Sequence, residues 1–192
     1  MIESALELLA ETADPDSVSI RAIARHTGVS PTAAYRHFSD RDELVYAAVG
    51  RAFDEFSTQL IAAVDHLDNP FERVRVAGTA YRQFAESEPG RYRVLFSNPM
   101  PCPEHLLESK DEFDPGKTAF TFLVSLIAEC FDAGAAAADR PGADPEYVAF
   151  QLWTWIHGIC DLRIGHPREP WPDATRMFDD AASSLGLDRP SD

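Results

Sequence analysis

Apolar residues recur every three or four positions along most of this chain, a spacing typical of amphipathic helices. In the first such segment, residues 2–12, Ile2, Ala5, Leu6 and Leu9 share one face. Further helices are predicted to begin near residue 20 and at Pro31, and to extend over about 41–66, 70–88, 91–97, 115–138, 145–165 and 173–185. Pro and Gly residues separate these segments, and no alternating β pattern of useful length occurs. The sequence therefore predicts an all-α fold of about nine helices.

The segment from Ser19 to Phe38 has the pattern of two short helices joined by a tight turn. Gly28 can adopt the left-handed backbone that ends a helix, and Ser30 followed by Pro31 is a typical helix start. The apolar positions expected to pack inside this hairpin are Ile20, Ile23, Ala24, Val29, Ala34 and Phe38. Two helices joined by a short turn containing Gly form a helix-turn-helix, whose second helix can enter the major groove of DNA.

This segment is basic, whereas the chain as a whole is acidic. From Ser19 to Arg41 there are four Arg and one acidic residue, a net charge of +3, and the complete chain carries −15. The residues outside this window therefore carry −18. Because phosphate repels an acidic surface, a small basic window would both attract DNA and orient the protein on it. A basic patch on an ordinary helical hairpin is the alternative interpretation.

The same residues resemble a known family. Ser19-Ile-Arg-Ala-Ile-Ala24, Gly28-Val-Ser30, Tyr35-Arg-His-Phe38 and Asp40-Arg-Asp-Glu-Leu44 are similar, in order and spacing, to the N-terminal domain of the TetR family of transcriptional regulators. Trp155-Ile-His-Gly158 resembles the Trp-His-Gly signature of a subgroup of TetR-like C-terminal domains. The resemblance implies a helix-turn-helix DNA-binding domain over residues 1–48 and a helical ligand-binding and dimerisation domain over residues 49–192. It also implies a homodimeric repressor that binds a pseudo-palindromic operator and is released by a small, largely apolar effector.

Within the second helix of the hairpin, Arg36 could pair with O6 and N7 of guanine, and Thr32 or Ala33 could contact a thymine methyl group. Pro31, which starts this helix, belongs to the same predicted surface. The resemblance implies phosphate contacts from Ser19, Ser30, Tyr35, His37 and Arg41, and a base or phosphate contact from Arg21. A solvated helix face is the alternative interpretation for each of these residues.

The first helix departs from the family pattern. The chain begins almost at this helix with no basic arm ahead of it, and a native start further upstream would give the same pattern. Glu3, Glu7 and Glu11 line its exposed side, so strong phosphate contacts from this helix are not expected.

The helix over residues 145–165 is apolar nearly all round. Its two predicted stripes are Phe150, Trp153, His157, Cys160 and Ile164, and Leu152, Trp155, Ile156 and Ile159. A helix that is apolar on two faces must pack against two partners. The second partner could be the same helix of another subunit, because Gly158 would let two helices approach closely. A twofold dimer is also the geometry expected of a helix-turn-helix protein.

A ligand site is predicted from rings and one Met on the middle helices. The candidate residues are Tyr81, Phe84, Tyr92, Phe96, Met100, Phe120, Trp153 and His157. Such a mixture would suit a flat or apolar small molecule. The alternative is that most of these side chains belong to the core, and that His157 is hydrogen-bonded inside a helical interface.

Other classes of protein have little support. No apolar run approaches the roughly 18 residues of a membrane helix, and residues 1–20 lack a signal-peptide pattern, so a cytoplasmic protein with no membrane partner is expected. The three cysteines, Cys102, Cys130 and Cys160, do not form a disulfide framework. Cys102 and His105 are too few donors for a metal site, and neither a metal nor a cofactor is expected. No catalytic motif is found; a helical enzyme or scaffold whose hairpin does not read DNA is the alternative function.

Overall fold

The computed structural model describes residues 1–12, 15–96 and 116–188, and within these ranges it contains nine α-helices and no strand. The helices are α1 (Ile2–Glu11), α2 (Ile20–Thr27), α3 (Pro31–Ala34), α4 (Arg41–Val64), α5 (Pro70–Ser87), α6 (Pro89–Phe96), α7 (Lys117–Asp132), α8 (Pro145–Gly165) and α9 (Ala174–Ser184). Short 3-10 turns lie at Pro15–Ser17 and Ala136–Asp139. The predicted all-α fold is confirmed.

One predicted helix ends earlier than expected. The apolar pattern extends to about residue 138, but α7 ends at Asp132. Gly134 adopts a φ of 85°, and the amide of Ala135 donates to the carbonyl of Cys130 at 2.9 Å. This left-handed glycine terminates the helix because it satisfies the last free carbonyl groups, and the Ala-rich residues that follow form a 3-10 turn.

Packing divides the chain into two compact units. The N-terminal unit comprises residues 1–56 and 88–117, and the C-terminal unit comprises residues 57–87 and 118–192. In the N-terminal unit, α2 packs against α1 and α3, and α6 packs against α1. Its core includes the fully buried side chains of Leu6, Ile23 and Leu44.

The start of α6 is joined closely to α1. A Cβ atom added to Gly90 would lie 2.6 Å from the carbonyl oxygen of Ala10, so the two backbones approach at this point. The guanidinium group of Arg91 forms ion pairs with Glu3 of α1 and, at 3.6 Å, with Glu55 of α4. Arg91 thereby connects three helices of the N-terminal unit.

In the C-terminal unit, α5 packs against α8 and α9. The closest approach is at Gly78, where an added Cβ would lie 2.2 Å from a ring carbon of Phe178. Arg75 of α5 also binds the end of the described chain, with Asp188 at 2.7 Å and the carbonyl oxygen of Leu187 at 3.2 Å. The ion pair between Arg73 and Glu129 joins α5 to α7.

The long helix α8 has one buried face and two partly exposed apolar faces. Its buried residues are Val148, Ala149, Leu152, Ile156, Ile159 and Cys160. We name the exposed surface of Tyr147, Gln151, Thr154, Trp155, Gly158 and Leu162 the Gly158 face, and that of Phe150, Trp153 and His157 the aromatic face. Trp155, which was predicted to share a stripe with Leu152, Ile156 and Ile159, is 49% exposed in the single chain. Trp155 lies at the edge of that stripe, about 100° from Ile156 around the helix axis.

None of the helices within the described ranges is long and apolar enough to cross a lipid bilayer.

Candidate nucleic-acid interface

The helix-turn-helix is held by its helix ends. Ser19 caps α2, because its hydroxyl oxygen accepts the amide hydrogen of Ala22 at 3.2 Å. Gly28 ends α2 with a φ of 79°, a backbone conformation that glycine adopts without strain. Ser30 then caps α3 by accepting the amide hydrogen of Ala33 at 3.2 Å. These contacts fix the direction in which α3 leaves α2.

The interior of the hairpin is smaller than predicted. Ile20, Ile23 and Ala24 of α2 are buried, as is Ala34 of α3, and Phe38 is half-buried. Val29 is 38% exposed, so the prediction that it packs between the helices is wrong. Its amide donates to the carbonyl of Ala24 at 2.9 Å, and this turn geometry leaves the side chain outside the core.

The predicted contact residues present a mostly exposed surface. Arg21, Pro31, Thr32, Tyr35, Arg36 and His37 are exposed, and Ala33 is half-buried. The prediction that Arg36 and His37 lie within the second helix is wrong, because α3 ends at Ala34 and both residues lie in the turn that follows. The ring of Tyr35 is 50% exposed although it adjoins buried Ala34. Ser19 and Ser30 are exposed as well, and because each hydroxyl oxygen only accepts in its cap, each O–H can still donate to a phosphate.

The charges on this surface are available for an external partner. Within the described ranges, the guanidinium groups of Arg21, Arg25 and Arg36 have no ion-pair partner. Arg25 was not among the predicted contacts, although it follows Arg21 by four residues and therefore lies on the same face of α2. That spacing was the signal that could have identified it.

Arg41 has a different position from the other predicted contacts. Its Nε–H donates to the carbonyl of Val18 at 2.7 Å, and its other nitrogens pair with Asp42 at 2.9 Å and Asp16 at 3.6 Å. The half-buried guanidinium therefore connects the start of α4 to the segment before α2. Its predicted phosphate contact stays a prediction.

The start of α4 is capped directly after the hairpin. Asp40 accepts the amide hydrogen of Glu43 at 2.8 Å. The carboxylate of Glu43 accepts from the amide of Ser39 at 2.7 Å and from its hydroxyl at 2.6 Å. This arrangement resembles a capping box in which the reciprocal bond reaches Ser39 instead of the cap residue Asp40.

Acidic residues of α1 are partly engaged by neighbouring bases. Glu7 contacts the Nε2 atom of His26 on α2 at 2.9 Å, and Glu3 pairs with Arg91. The ion pair with Arg91 offsets the negative charge of Glu3, and both contacts hold α1 against its neighbours.

The predicted ligand residues fall into two groups, one in each unit. In the N-terminal unit, Tyr92 lies 5.1 Å from Phe96, whose ring also contacts Phe53 and Phe56. In the C-terminal unit, Phe120, Trp153, His157 and Tyr81 are linked by ring contacts, and Phe84 is buried on α5. Met100 lies outside the described residues. Phe150 was not among the predicted ligand residues, yet its ring centroid lies 4.4 Å from that of Phe120.

The polar centre of the second group is a hydrogen-bonded pair. His157 Nδ1 lies 3.0 Å from the carbonyl oxygen of Trp153, which can only accept, so Nδ1 carries the proton. Nε2 is then the acceptor for the hydroxyl of Tyr81 at 2.9 Å. Burial lowers the pKa of His157, although its bond to Trp153 and the charge of Asp161 oppose this shift. The ring is therefore neutral at neutral pH.

Neither metal chemistry nor thiol chemistry is supported by the described residues. Among them, no group of three or more His, Cys, Asp or Glu side chains could hold a metal ion, and Cys102 and His105 lie outside the described ranges. Burial raises the pKa of both Cys130 and Cys160 to about 12, so these thiols stay protonated and weakly nucleophilic.

Comparison with known proteins gives the class and then the family. The model described as "Bacterial regulatory proteins, tetR family" matches residues 1–48, and "Tetracyclin repressor-like, C-terminal domain" matches residues 74–185. The first match places the helix-turn-helix in the class of bacterial regulatory proteins. More particularly, the chain belongs to the TetR family.

Relatives are similar in part of the sequence or in fold. An HTH-type transcriptional regulator of Mycobacterium tuberculosis (strain ATCC 25618 / H37Rv) is 33% identical over 86 residues, which are 44% of this chain and 37% of that protein. The chain thus spans little more than a third of the length of this curated relative. A TetR family transcription regulator from Marinobacter aquaeolei VT8 has a TM-score of 0.68 at 14% identity, covering 96% of this chain and 92% of its own. AibR in complex with isovaleryl coenzyme A and operator DNA has a TM-score of 0.64 at 18% identity, covering 98% and 96%.

Proposed function

We propose that this protein is a homodimeric transcriptional repressor whose helix-turn-helix binds a pseudo-palindromic operator and which a small, largely apolar effector releases from DNA. The observation that carries this proposal is the exposed basic surface formed by α2 and by residues 35–37, which follow α3. Arg21, Arg25 and Arg36 lie there without ion-pair partners among the described residues, on a chain whose net charge is −15. In this proposal residues 1–48 form the DNA-binding domain and residues 49–192 form the ligand-binding and dimerisation domain.

The protein makes two kinds of contact with DNA, to bases and to phosphates. Arg36 reads guanine through its paired donors, and Thr32 or Ala33 contacts a thymine methyl group. Phosphate contacts come from Ser19, Ser30, Tyr35, His37 and Arg41, and Arg21 contacts either a base or a phosphate. Phosphate contacts position the protein on the duplex, and base contacts give the sequence preference.

The Gly158 face of α8 is the proposed dimer interface. Tyr147, Trp155 and Leu162 are exposed along it, with Tyr147 at 62%, and a Cβ added to Gly158 would meet nothing within 4 Å. Burial of these side chains against the same face of a second chain would remove apolar surface from water in a twofold, self-complementary contact. Such a dimer would carry two DNA-binding domains that fit half-sites about 34–36 Å apart.

Release by an effector needs a ligand that binds one conformation better than another. The ring contacts among Tyr81, Phe120, Trp153 and His157 support a ligand site in the C-terminal unit. AibR, which has a similar fold, was crystallised with isovaleryl coenzyme A and operator DNA. We likewise propose that this protein binds both operator DNA and a small molecule that regulates its DNA binding.

The DNA-binding role is tested in two steps. Bound duplexes are first selected from a random pool, and the enriched duplex is then titrated at several salt concentrations. We expect one enriched sequence with twofold character and an affinity that falls steeply as salt rises. Arg36→Ala should weaken binding and relax the preference at one base pair by about 1–3 kcal/mol. Arg168→Ala, at an exposed position in the loop before α9, is the matched control. A folded protein that ignores every duplex at low ionic strength would overturn the proposal.

A further inference from the structure

The aromatic face of α8 continues as a row of rings across the C-terminal unit. The ring centroids of Phe120 and Phe150 are 4.4 Å apart, those of Phe150 and Trp153 are 6.2 Å apart, and those of Trp153 and His157 are 4.6 Å apart. Phe150 and Trp153 are 45% and 38% exposed. Aromatic side chains of this size are usually buried in a folded protein. The row therefore leaves part of its ring surface open to an external molecule.

The polar end of this row is uncharged. His157 uses Nδ1–H to bind the carbonyl of Trp153 and Nε2 to accept the hydroxyl of Tyr81. A proton on Nε2 would remove that acceptor, and burial also lowers the pKa of this ring. Consequently, His157 does not place a positive charge among the rings at neutral pH.

Carboxylates flank the row on the same helix. Glu146 precedes Phe150 by four residues and Asp161 follows His157 by four residues, so both lie on the side of α8 that carries the rings. Both are exposed, and the charge of Asp161 acts on His157. The aromatic face of α8 therefore combines exposed rings with two negative charges.

Four basic side chains of α5 and α8 are engaged elsewhere, whereas Lys117, at the start of α7 and three residues before Phe120, is exposed and has no ion-pair partner among the described residues. Arg73 and Arg75 of α5 pair with Glu129 and Asp188, while Arg82 of α5 pairs with Glu86. Arg163 of α8 also reaches Glu86, at 3.6 Å. The sequence of the C-terminal unit, residues 57–87 and 118–192, contains 16 acidic and 8 basic residues, a net charge of −8. This net negative charge favours a positive ligand over a negative one.

We infer that the aromatic face of α8 binds a hydrophobic organic cation, a quaternary or protonated centre that carries apolar or aromatic groups. The cation lies over the ring faces of Trp153 and Phe150, whose negative electrostatic faces attract it, and Trp is the ring that attracts cations most strongly. Asp161 and Glu146 add long-range attraction. The inference rests on the proposed effector-binding role of the C-terminal unit and gives that effector a chemical class.

Two probes of almost the same size and shape but opposite charge test the inference. Tetraphenylphosphonium and tetraphenylborate are titrated separately into the full-length protein, without DNA, by isothermal calorimetry at fixed ionic strength. We expect the phosphonium to bind at least about tenfold more tightly than the borate. Equal affinity for the two probes, or tighter binding of the borate, overturns the inference because shape and apolar area would then account for the binding.

Matched variants locate the site. Trp153→Phe should weaken phosphonium binding about threefold, because phenylalanine attracts cations less strongly than tryptophan, and Trp153→Leu should weaken it further. Asp161→Asn changes an exposed side chain, so it keeps the test decisive if Trp153→Leu does not fold. Trp171→Phe is the control, since Trp171 lies in the loop before α9 and donates to the carbonyl of His166. Equal losses in Trp153→Phe and Trp171→Phe, or no loss in Asp161→Asn, overturn the inference.

Duplex binding, measured on the same preparations, separates the two proposals. A protein that binds its selected duplex but not tetraphenylphosphonium retains the proposed DNA-binding function and loses the cation site. A protein that binds tetraphenylphosphonium as described but ignores every duplex retains the cation site and loses the DNA-binding function.

Discussion

At the scale of single residues, two glycines illustrate different constraints. Gly28 is required for its backbone conformation, with a φ of 79° and no neighbour within 4 Å of an added Cβ. Gly78 has ordinary helical backbone, but Phe178 fills the space that a side chain would need. The first constraint is local and follows from the Gly-Val-Ser-Pro turn in the sequence. The second arises only when α5 and α9 pack together, so it could not be predicted from the residues around Gly78.

Gly78→Ala should therefore destabilise the protein by about 1–3 kcal/mol, the usual cost of overpacking a core. The opposing gain in helix propensity is only about 1 kcal/mol. Denaturant unfolding followed by circular dichroism measures the difference. Gly165→Ala is the matched control, because it lies in α8 with nothing within 4 Å of an added Cβ, and it should be neutral or slightly stabilising. A loss in Gly78→Ala no larger than in the control would show that Phe178 moves aside freely.

The hydrogen-bonded pair of His157 and Tyr81 predicts a pH dependence. The pKa of His157 is lowered in the folded protein, so below its ordinary value of about 6.5 the unfolded chain binds a proton that the folded chain refuses. The contribution of His157 to stability is therefore complete above that pH and is lost as the pH falls through it. Unfolding free energies at pH 7.5 and 5.5 should differ more in the wild type than in His157→Gln. Equal pH dependence in the two proteins would contradict this linkage.

At the scale of elements, α6 depends on charged contacts as well as on packing. Arg91 pairs with Glu3 of α1, and at 3.6 Å with both Glu55 of α4 and Glu88. A cluster that shares one ordered arginine costs less conformational entropy than separate surface pairs, which contribute little each. The position of α6 against α1 is thus set by Arg91 together with the close approach at Gly90.

Arg91→Met should lower the free energy of unfolding by about 1 kcal/mol at low salt, and the difference from the wild type should shrink in 1 M NaCl because salt screens the pairs. Arg176→Met is the matched control, since Arg176 and its partner Asp180 are 82% and 74% exposed. The control should change stability by only a few tenths of a kcal/mol. A salt-independent loss in Arg91→Met would attribute the effect to packing of the aliphatic stem.

The positions of helices in the sequence were more predictable than the contacts between helices. The bounds of α8, Pro145–Gly165, agree with the prediction because Asp144 and Pro145 form a strong local start signal. The predicted packing of Val29 was wrong, and Trp155 is exposed although its stripe is otherwise buried, because burial at the edge of an apolar stripe depends on which helix packs alongside. Periodicity predicts the direction of a side chain around its helix, but it does not specify what covers that side chain. The grouping of Phe150 with Phe120 likewise depends on the packing of α7 against α8.

At the scale of the whole molecule, charge and association are linked. A chain of net charge −15 repels its own copies as well as DNA. Any dimer contact must therefore supply apolar burial where acidic residues are few. The six residues of the Gly158 face are apolar or uncharged, and this composition suits the self-association proposed for it.

Trp155→Glu should convert the proposed dimer into a monomer. In a twofold contact each substitution is present twice and close to its own copy, so the variant places two like charges in an apolar interface and removes the burial of two indole rings. Light scattering at micromolar concentration should give the 21.3 kDa mass of one chain for the variant and twice that mass for the wild type. Gln59→Glu adds the same charge at an exposed position of α4 and should remain dimeric. Because a monomer carries a single DNA-binding domain, Trp155→Glu should also bind the selected duplex less tightly. A Trp155→Glu variant that stays dimeric would assign the dimer contact to another surface.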